Sequence, residues 1–249
     1  MSPGRPVGSG LCAAPSPRAV QRTLLRSFGP QGWWPVTPAG EASPRYRPGI
    51  WGRLAQRQRL EVCLGALLTQ NTAWTNASSA LQALHRRGAV RLDRLVRMPA
   101  ERLQRLIRPS GYFKQKALRV KAFSRHAAAR GADLRRWLSG PLPKLREELL
   151  GIHGIGPETA DSILLYAGLR PAFVVDAYTL RIGARLGWFR GRPSYQEAAA
   201  FLTGRLPASA ELYGEFHALL VELAKRHCRK TPACEGCPLR KGCGHGKNC

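Results

Sequence analysis

From residue 50 onward the apolar residues recur at spacings of three and four, over residues 60–68, 80–84, 92–96, 103–107, 117–123 and 145–150. That period gathers each set on one face of a helix, and the short segments between them read as connections. Strand-like alternation is essentially missing, and Phe173, Val174 and Val175 form the one β-branched stretch. The expected fold is all-α.

Nine of the nineteen prolines and six glycines lie within residues 1–48, so this stretch cannot be one continuous helix. Residues 1–18 are expected as a disordered tail and 19–59 as an arm. The arm holds a short helix over 19–28, built on Val20, Leu24, Leu25 and Phe28, and Trp33-Trp34-Pro35 gives it something to dock with. No window reaches the roughly 20 uninterrupted apolar residues of a membrane-spanning helix, so no membrane role is expected. The first forty residues hold no Asp or Glu and no apolar core of signal-peptide type. Secretion is therefore set aside, and a cytoplasmic protein is expected, lying with the nucleoid in a bacterial cell.

Forty Lys plus Arg against fifteen Asp plus Glu give a formal charge of +25, with a pI near 11.2. An acidic small molecule is a poor match for such an excess, and a polyanion is the expected partner. Residues 144–168 read as helix, tight glycine turn, helix. In Gly151-Ile152-His153-Gly154-Ile155-Gly156-Pro157, Gly154 and Gly156 permit positive backbone angles around Ile155, and Pro157 is pre-set for a helix start. The backbone N–H groups of Gly154, Ile155 and Gly156 would make a site for one phosphate that reads no sequence. By shape alone the same turn also serves as an ordinary helix connection; the charge favours nucleic acid.

Four of the seven cysteines, Cys228, Cys234, Cys237 and Cys243, form a C-x5-C-x2-C-x5-C run with Pro232 and Pro238 shaping its loops. Four thiolates so spaced can wrap one metal centre, and the chemistry leaves zinc and a 4Fe-4S cluster both open. His227 and His245 adjoin the run, Cys63 reads as core, and Cys12 and Cys249 have no partners at ligand spacing. Asp176, before Ala177-Tyr178-Thr179-Leu180, reads on its own as a helix N-cap. Lys116, Arg119, Lys121 and Arg125 fall on one helix and read as a solvated basic face within reach of phosphates.

Three stretches together resemble the endonuclease III (helix-hairpin-helix GPD) superfamily of DNA glycosylases. They are Gly154-Ile155-Gly156-Pro157-Glu158-Thr159-Ala160 followed by Val174-Val175-Asp176; Leu67-Leu68-Thr69-Gln70-Asn71-Thr72; and Ile107-Arg108-Pro109-Ser110-Gly111-Tyr112-Phe113-Lys114-Gln115-Lys116-Ala117. The resemblance spans about residues 50–246 and implies two helical lobes. One is a helical domain over 60–172 carrying the hairpin. The other, over 173–246, carries the catalytic Asp and the cluster and is completed by the arm, with the active site between the two.

The resemblance implies a monomer that acts on double-stranded DNA, flips a damaged base out of the stack and cleaves its N-glycosidic bond. It makes Asp176 the carboxylate that stabilises the cationic sugar. Gln70 would fill the gap left by the flipped nucleotide, with Pro109-Ser110 as the opposing wedge, and Trp74 and Tyr112 are candidate stacking surfaces. Bifunctional members carry a Schiff-base lysine where this chain has Glu158, so Glu158 implies a monofunctional enzyme with that carboxylate lining the pocket. Glu158 with Ala160-Asp161 and the 108–111 loop is most similar to the 3-methyladenine DNA glycosylase III branch, which implies alkylated purines. At the cysteines the resemblance implies a 4Fe-4S cluster, with zinc the alternative. The first spacing is one residue short of that family's usual pattern, and the 3-methyladenine branch lacks the cluster, so the chain combines features of two branches. Arg229, Lys230, Arg240 and Lys241 on the cluster loops would meet DNA phosphates. Two other readings stay open: a glycosylase/lyase for oxidised pyrimidines using Lys144 or Lys116, and a lesion-binding module without turnover.

Overall fold

The computed structural model describes residues 14–246. Among them there is no strand, only an isolated antiparallel bridge between Val36 and Arg45. The helices are α1 (Pro17–Phe28), α2 (Gln56–Leu68), α3 (Trp74–Arg86), α4 (Leu92–Arg97), α5 (Ala100–Ile107), α6 (Phe113–Ala129), α7 (Leu134–Trp137), α8 (Leu142–Leu150), α9 (Pro157–Ser162), α10 (Ala177–Leu186), α11 (Tyr195–Thr203) and α12 (Ala210–Arg226). The all-α expectation holds, and no helix is long and apolar enough to cross a membrane among the described residues.

The arm is ordered earlier than its proline content suggested. Ser16 caps α1 by accepting from the Ala19 N–H at 3.2 Å, and Pro17 occupies the first turn, where its missing N–H costs nothing. Pro17 and Arg18, expected within a disordered tail, are therefore helical. Upstream, the Pro15 carbonyl accepts from Trp188 Nε1 at 2.6 Å. Residues 1–13, with Cys12, and residues 247–249, with Cys249, lie outside the described residues.

α2 is the axis of the fold. Arg59 to Leu68 are all buried, and a helix with no wet face belongs at the centre of a core. It packs on α3, α6, α7 and α9, while α1 and α10 pack on α12. One continuous apolar core joins the two groups, with Cys63 inside it as expected. Gly65 lets Trp34 sit directly on α2, because a Cβ there would lie 3.0 Å from Trp34 Nε1.

Two basic residues on α6 are not on a wet face. Lys116 is fully buried, and its ammonium donates to the Leu68 carbonyl at 2.8 Å and the Ser110 carbonyl at 2.6 Å. Lys121 donates to the Leu95, Val96 and Met98 carbonyls at 3.0, 2.6 and 2.7 Å. Each lysine closes the C-terminal end of a neighbouring helix, α2 and α4 respectively, where unpaired carbonyls collect partial negative charge. The reading of α6 as a solvated basic face is thus corrected at both positions; their charge is spent inside the molecule.

Candidate active site

A cleft of about 680 Å³ gathers residues from the arm, the end of α2, the hairpin, the start of α10 and one face of α12. Gln70, Glu158 and Asp176 all line it, together with Gly154 and Gly156 of the hairpin.

The hairpin connects α8 to α9. Gly154 takes φ +79°, and a Cβ there would lie 2.3 Å from Arg119 Cγ, so glycine is required for both the backbone angle and the closeness of α6. The Ile155 side chain is buried, and its N–H donates to the Ile152 carbonyl at 3.1 Å. Of the three N–H groups expected to face a phosphate, Ile155's is therefore used within the turn, which leaves those of Gly154 and Gly156. Gln70 is tied down as well: its Nε2 donates to the Gly154 carbonyl at 3.0 Å and Thr159 Oγ1 at 2.9 Å, while its Oε1 accepts from Arg119. Here it fastens the end of α2 to the hairpin.

Asp176 caps α10, its Oδ1 accepting from the Thr179 N–H at 2.7 Å and the Thr179 hydroxyl at 2.8 Å. The cap fixes the carboxylate and leaves Oδ2 toward His217, whose Nε2 lies 3.6 Å away. Burial alone would raise the Asp176 pKa, but the His217 ring and the Thr179 donors outweigh it and hold the group below the usual carboxylate range. Glu158, in the first turn of α9, moves the other way: desolvation by the cleft walls, then the Asp176 charge, raise it. Two carboxylates in one cleft are thereby pushed apart, with Asp176 the one that stays ionised as pH falls.

The cleft has an aromatic wall. Trp34 meets Trp74 edge-on at 5.5 Å between centroids and Tyr166 at 5.1 Å, and Trp33 stands edge-on to His217 at 5.6 Å. Sequence reasoning gave Trp33 and Trp34 only a docking role, and it missed His217, Tyr166, Tyr195 and Lys225. Tyr195 donates to Asp161 Oδ2 at 2.7 Å, and Arg146 holds the same carboxylate through two bonds of 2.8 and 3.1 Å. This bracket joins α8, α9 and α11 behind the cleft. The one available signal was periodicity: in α12 a histidine sits inside the buried run Tyr213, Gly214, Phe216, His217, Leu220, where an unpaired polar ring would be costly.

Other candidates fall elsewhere. Ser110 is fully buried, with its hydroxyl donating to the Ile107 carbonyl at 2.7 Å, so it cannot be a wedge in this conformation. The exposed positions of that loop are Arg108, Pro109 and Tyr112, the last 71% exposed at φ +46°. Neither Lys144 nor Lys116 reaches the cleft; its lining lysine is Lys225, 5.9 Å from the Trp33 ring.

The four cysteines line one small cavity of about 30 Å³ beside Arg185. Arg185 Nη1 donates to Cys228 Sγ at 3.1 Å, and Cys243 Sγ donates to the Arg185 carbonyl at 3.3 Å. Burial raises the Cys237 pKa, with the charges of Cys228 and Cys243 close enough to add to it. The donor set suits a thiolate-bound metal centre, yet among the described residues no group of three or more His, Cys, Asp or Glu is arranged to hold an ion. Arg229, Lys230, Arg240 and Lys241 are exposed on these loops.

Comparison with known proteins bears on this geometry. The family profile described as HhH-GPD superfamily base excision DNA repair protein matches residues 64–208. A Methanocaldococcus jannaschii protein, provisionally named a DNA repair glycosylase, is 37% identical over 226 residues, 90% of this chain and 94% of its own length. Endonuclease III of Thermotoga maritima is 35% identical over 124 residues, which covers 48% of this chain and 57% of that enzyme. Among solved structures, an H. pylori 3-methyladenine DNA glycosylase bound to 1,N6-ethenoadenine superposes with a TM-score of 0.61 at 27% identity, over 70% of this chain and 90% of that one. A non-covalent endonuclease III–DNA complex gives 0.71 at 22% identity over 93% and 95%, a likeness of fold.

Proposed function

The chain belongs to the HhH-GPD superfamily of base excision DNA repair proteins, and from that premise we propose that it is a monofunctional DNA N-glycosylase that flips out and excises an alkylated purine from double-stranded DNA. The observation that carries this reading is one cleft in which a capped Asp176 stands beside Glu158 and an aromatic wall, with glutamate and not lysine next to Thr159. The solved relative with 1,N6-ethenoadenine bound supports the substrate class.

In this mechanism the Gly154 and Gly156 N–H groups grip a backbone phosphate next to the flipped nucleotide. The base enters the cleft against the tryptophans, and Glu158 favours a base already bearing positive charge. The N-glycosidic bond breaks, the base leaves with the bonding electrons, and Asp176 stabilises the cationic sugar. Water adds to the anomeric carbon and gives up its proton toward Asp176, leaving an abasic site. Arg229, Lys230, Arg240 and Lys241 lie on exposed loops suited to flanking phosphates. Gln70 would have to leave its hairpin bonds to enter the duplex; anchored as it is, it braces the phosphate grip.

Cys228, Cys234, Cys237 and Cys243 are the residues that would hold a 4Fe-4S cluster, with zinc the alternative, and its contribution would be to tie these loops together. Iron and labile sulfide analysis of purified protein should give about four of each per chain, lost in Cys234→Ser. Zinc without iron would make this a zinc site.

The reading is tested by incubating the protein with methylated duplex DNA and with duplexes carrying thymine glycol, with free base read by mass spectrometry and strand nicks before and after alkali. Methylated base released with nicks only after alkali is the expected result. Nicks without alkali, trapped by borohydride and lost in Lys225→Ala, would establish instead a lyase using the cleft lysine. Tight binding with no released base would make the chain a lesion-binding protein.

A further inference from the structure

His217 has no role so far beyond its effect on Asp176, and its surroundings are demanding. The ring is 5% exposed. Its Nδ1 lies 2.8 Å from the Tyr166 hydroxyl, which is itself 3.1 Å from the Gly214 carbonyl oxygen. That carbonyl only accepts, so the single hydroxyl proton of Tyr166 goes to it, and the hydroxyl oxygen accepts from Nδ1–H. Nε2 is buried without a hydrogen-bond partner, and the nearest acid is Asp176 Oδ2 at 3.6 Å. A bare lone pair aimed at a buried carboxylate oxygen would be repelled by it; a proton on Nε2 turns the repulsion into attraction.

We propose that His217 is a positioning residue for base release: held by Tyr166 and Trp33, it carries a proton on both ring nitrogens and presents Nε2–H to Asp176 Oδ2, keeping that carboxylate ionised and aimed into the cleft. The proposal rests on the reading of Asp176 as the catalytic carboxylate.

The parts that hold the ring come from three elements. Tyr166 lies in the π-helical turn Ile163–Ala167 that continues α9, where the Gly168 N–H reaches back to the Ile163 carbonyl. The extra residue per turn rotates Tyr166 toward α12. Gly214 permits the approach, since a Cβ there would meet Trp51 at 2.4 Å and Tyr166 Cε1 at 3.2 Å. Trp33 closes the third side edge-on. The titratable groups that face this region are the carboxylates of Asp176 on α10 and Glu158 on α9 and the ammonium of Lys225, two turns along α12. Glu215 acts on the Tyr166 hydroxyl. The charged atom with a stated approach to the ring is negative: Asp176 Oδ2, at 3.6 Å from Nε2.

The test compares the full-length protein with Asp176→Asn, His217→Gln and His217→Leu, each first checked for folding by circular dichroism. Single-turnover release of 3-methyladenine from methylated duplex DNA, less the release without protein, is followed from about pH 3 to 9 so that the Asp176 limb is covered, alongside affinity for the same duplex. In His217→Gln the amide keeps a neutral donor but no charge. Its acid limb should therefore move to higher pH by about one unit and its plateau fall about tenfold, at unchanged DNA affinity. His217→Leu should lose more, because the donor goes as well. An acid limb coinciding with that of the unaltered protein would overturn the proposal. Independently of turnover, 15N spectra of histidine-labelled protein at pH 7 should show both His217 nitrogens protonated, with Nε2 changed in Asp176→Asn. A neutral Nδ1–H ring would overturn the proposal whatever the fate of Asp176. If Asp176→Asn kept full activity while His217 remained doubly protonated, the catalytic reading of Asp176 would fall, and with it the role of His217 in catalysis.

Discussion

Asp176→Asn is expected to slow single-turnover base release by about 10²–10³-fold while leaving folding and DNA affinity intact. The two carboxylate oxygens have separate duties. Oδ1 caps α10 through Thr179, and an asparagine oxygen caps as well as an aspartate oxygen. Oδ2 faces His217 across 3.6 Å, and this is where the negative charge is needed. The substitution keeps the cap but removes the charge that faces His217, so the protein should fold with a lowered Tm, the stability held in a carboxylate below its ordinary range being lost. The pH profile supplies a second check. Because Asp176 is held below the usual carboxylate range and Glu158 is raised, falling pH neutralises Glu158 first and Asp176 afterwards. Release of a cationic base should weaken gradually through the first step and collapse in the second. Full activity in Asp176→Asn would reduce this residue to a cap.

What could be read from the sequence follows from where the partners lie. The hairpin was legible because glycine and proline act through the local backbone: Gly154 and Pro157 specify a turn and a helix start whatever the rest of the chain does. Asp176 was legible twice, since capping needs only Thr179, three residues on. Gln70 lines the cleft as expected, but its bonds to the hairpin were not legible because its partners, Gly154 and Thr159, lie 84 and 89 residues away. His217 escaped notice for the same reason; a polar ring inside an apolar stripe announces a partner without naming it. The cysteines were legible as a donor set, while their inward geometry depends on Arg185, which binds two of them from another helix. Ser110 failed as a wedge because one hydrogen bond to Ile107 turns its hydroxyl inward, leaving Pro109 and Tyr112 as the exposed surface of that loop.

The buried lysine of α6 carries the second large effect. Lys116→Met should destabilise the protein by about 2–4 kcal/mol, read by urea unfolding, because the thioether fills the space of the lysine stem but offers no donor. The Leu68 and Ser110 carbonyls, both bonded to Lys116 Nζ, would be left buried and unpaired. Removing the cost of burying an ammonium offsets part of the loss, so the net destabilisation stays below the sum for two orphaned acceptors. The sign of the pH dependence separates this clamp from a salt bridge. Burial and the neighbouring Arg119 hold Lys116 down at about 8, against an ordinary value of 10.5. Between those two values the unfolded chain binds more protons than the folded one, so this group adds stability as pH rises through that window. The neutral amine still donates N–H groups to both carbonyls. The gap between the unaltered protein and Lys116→Met should therefore widen from pH 7 to about 9.5, where a salt bridge to a lysine would be losing its charge. A gap that narrows over that range would mean the ammonium charge, and not its hydrogen bonds, holds the end of α2 against the 108–112 loop.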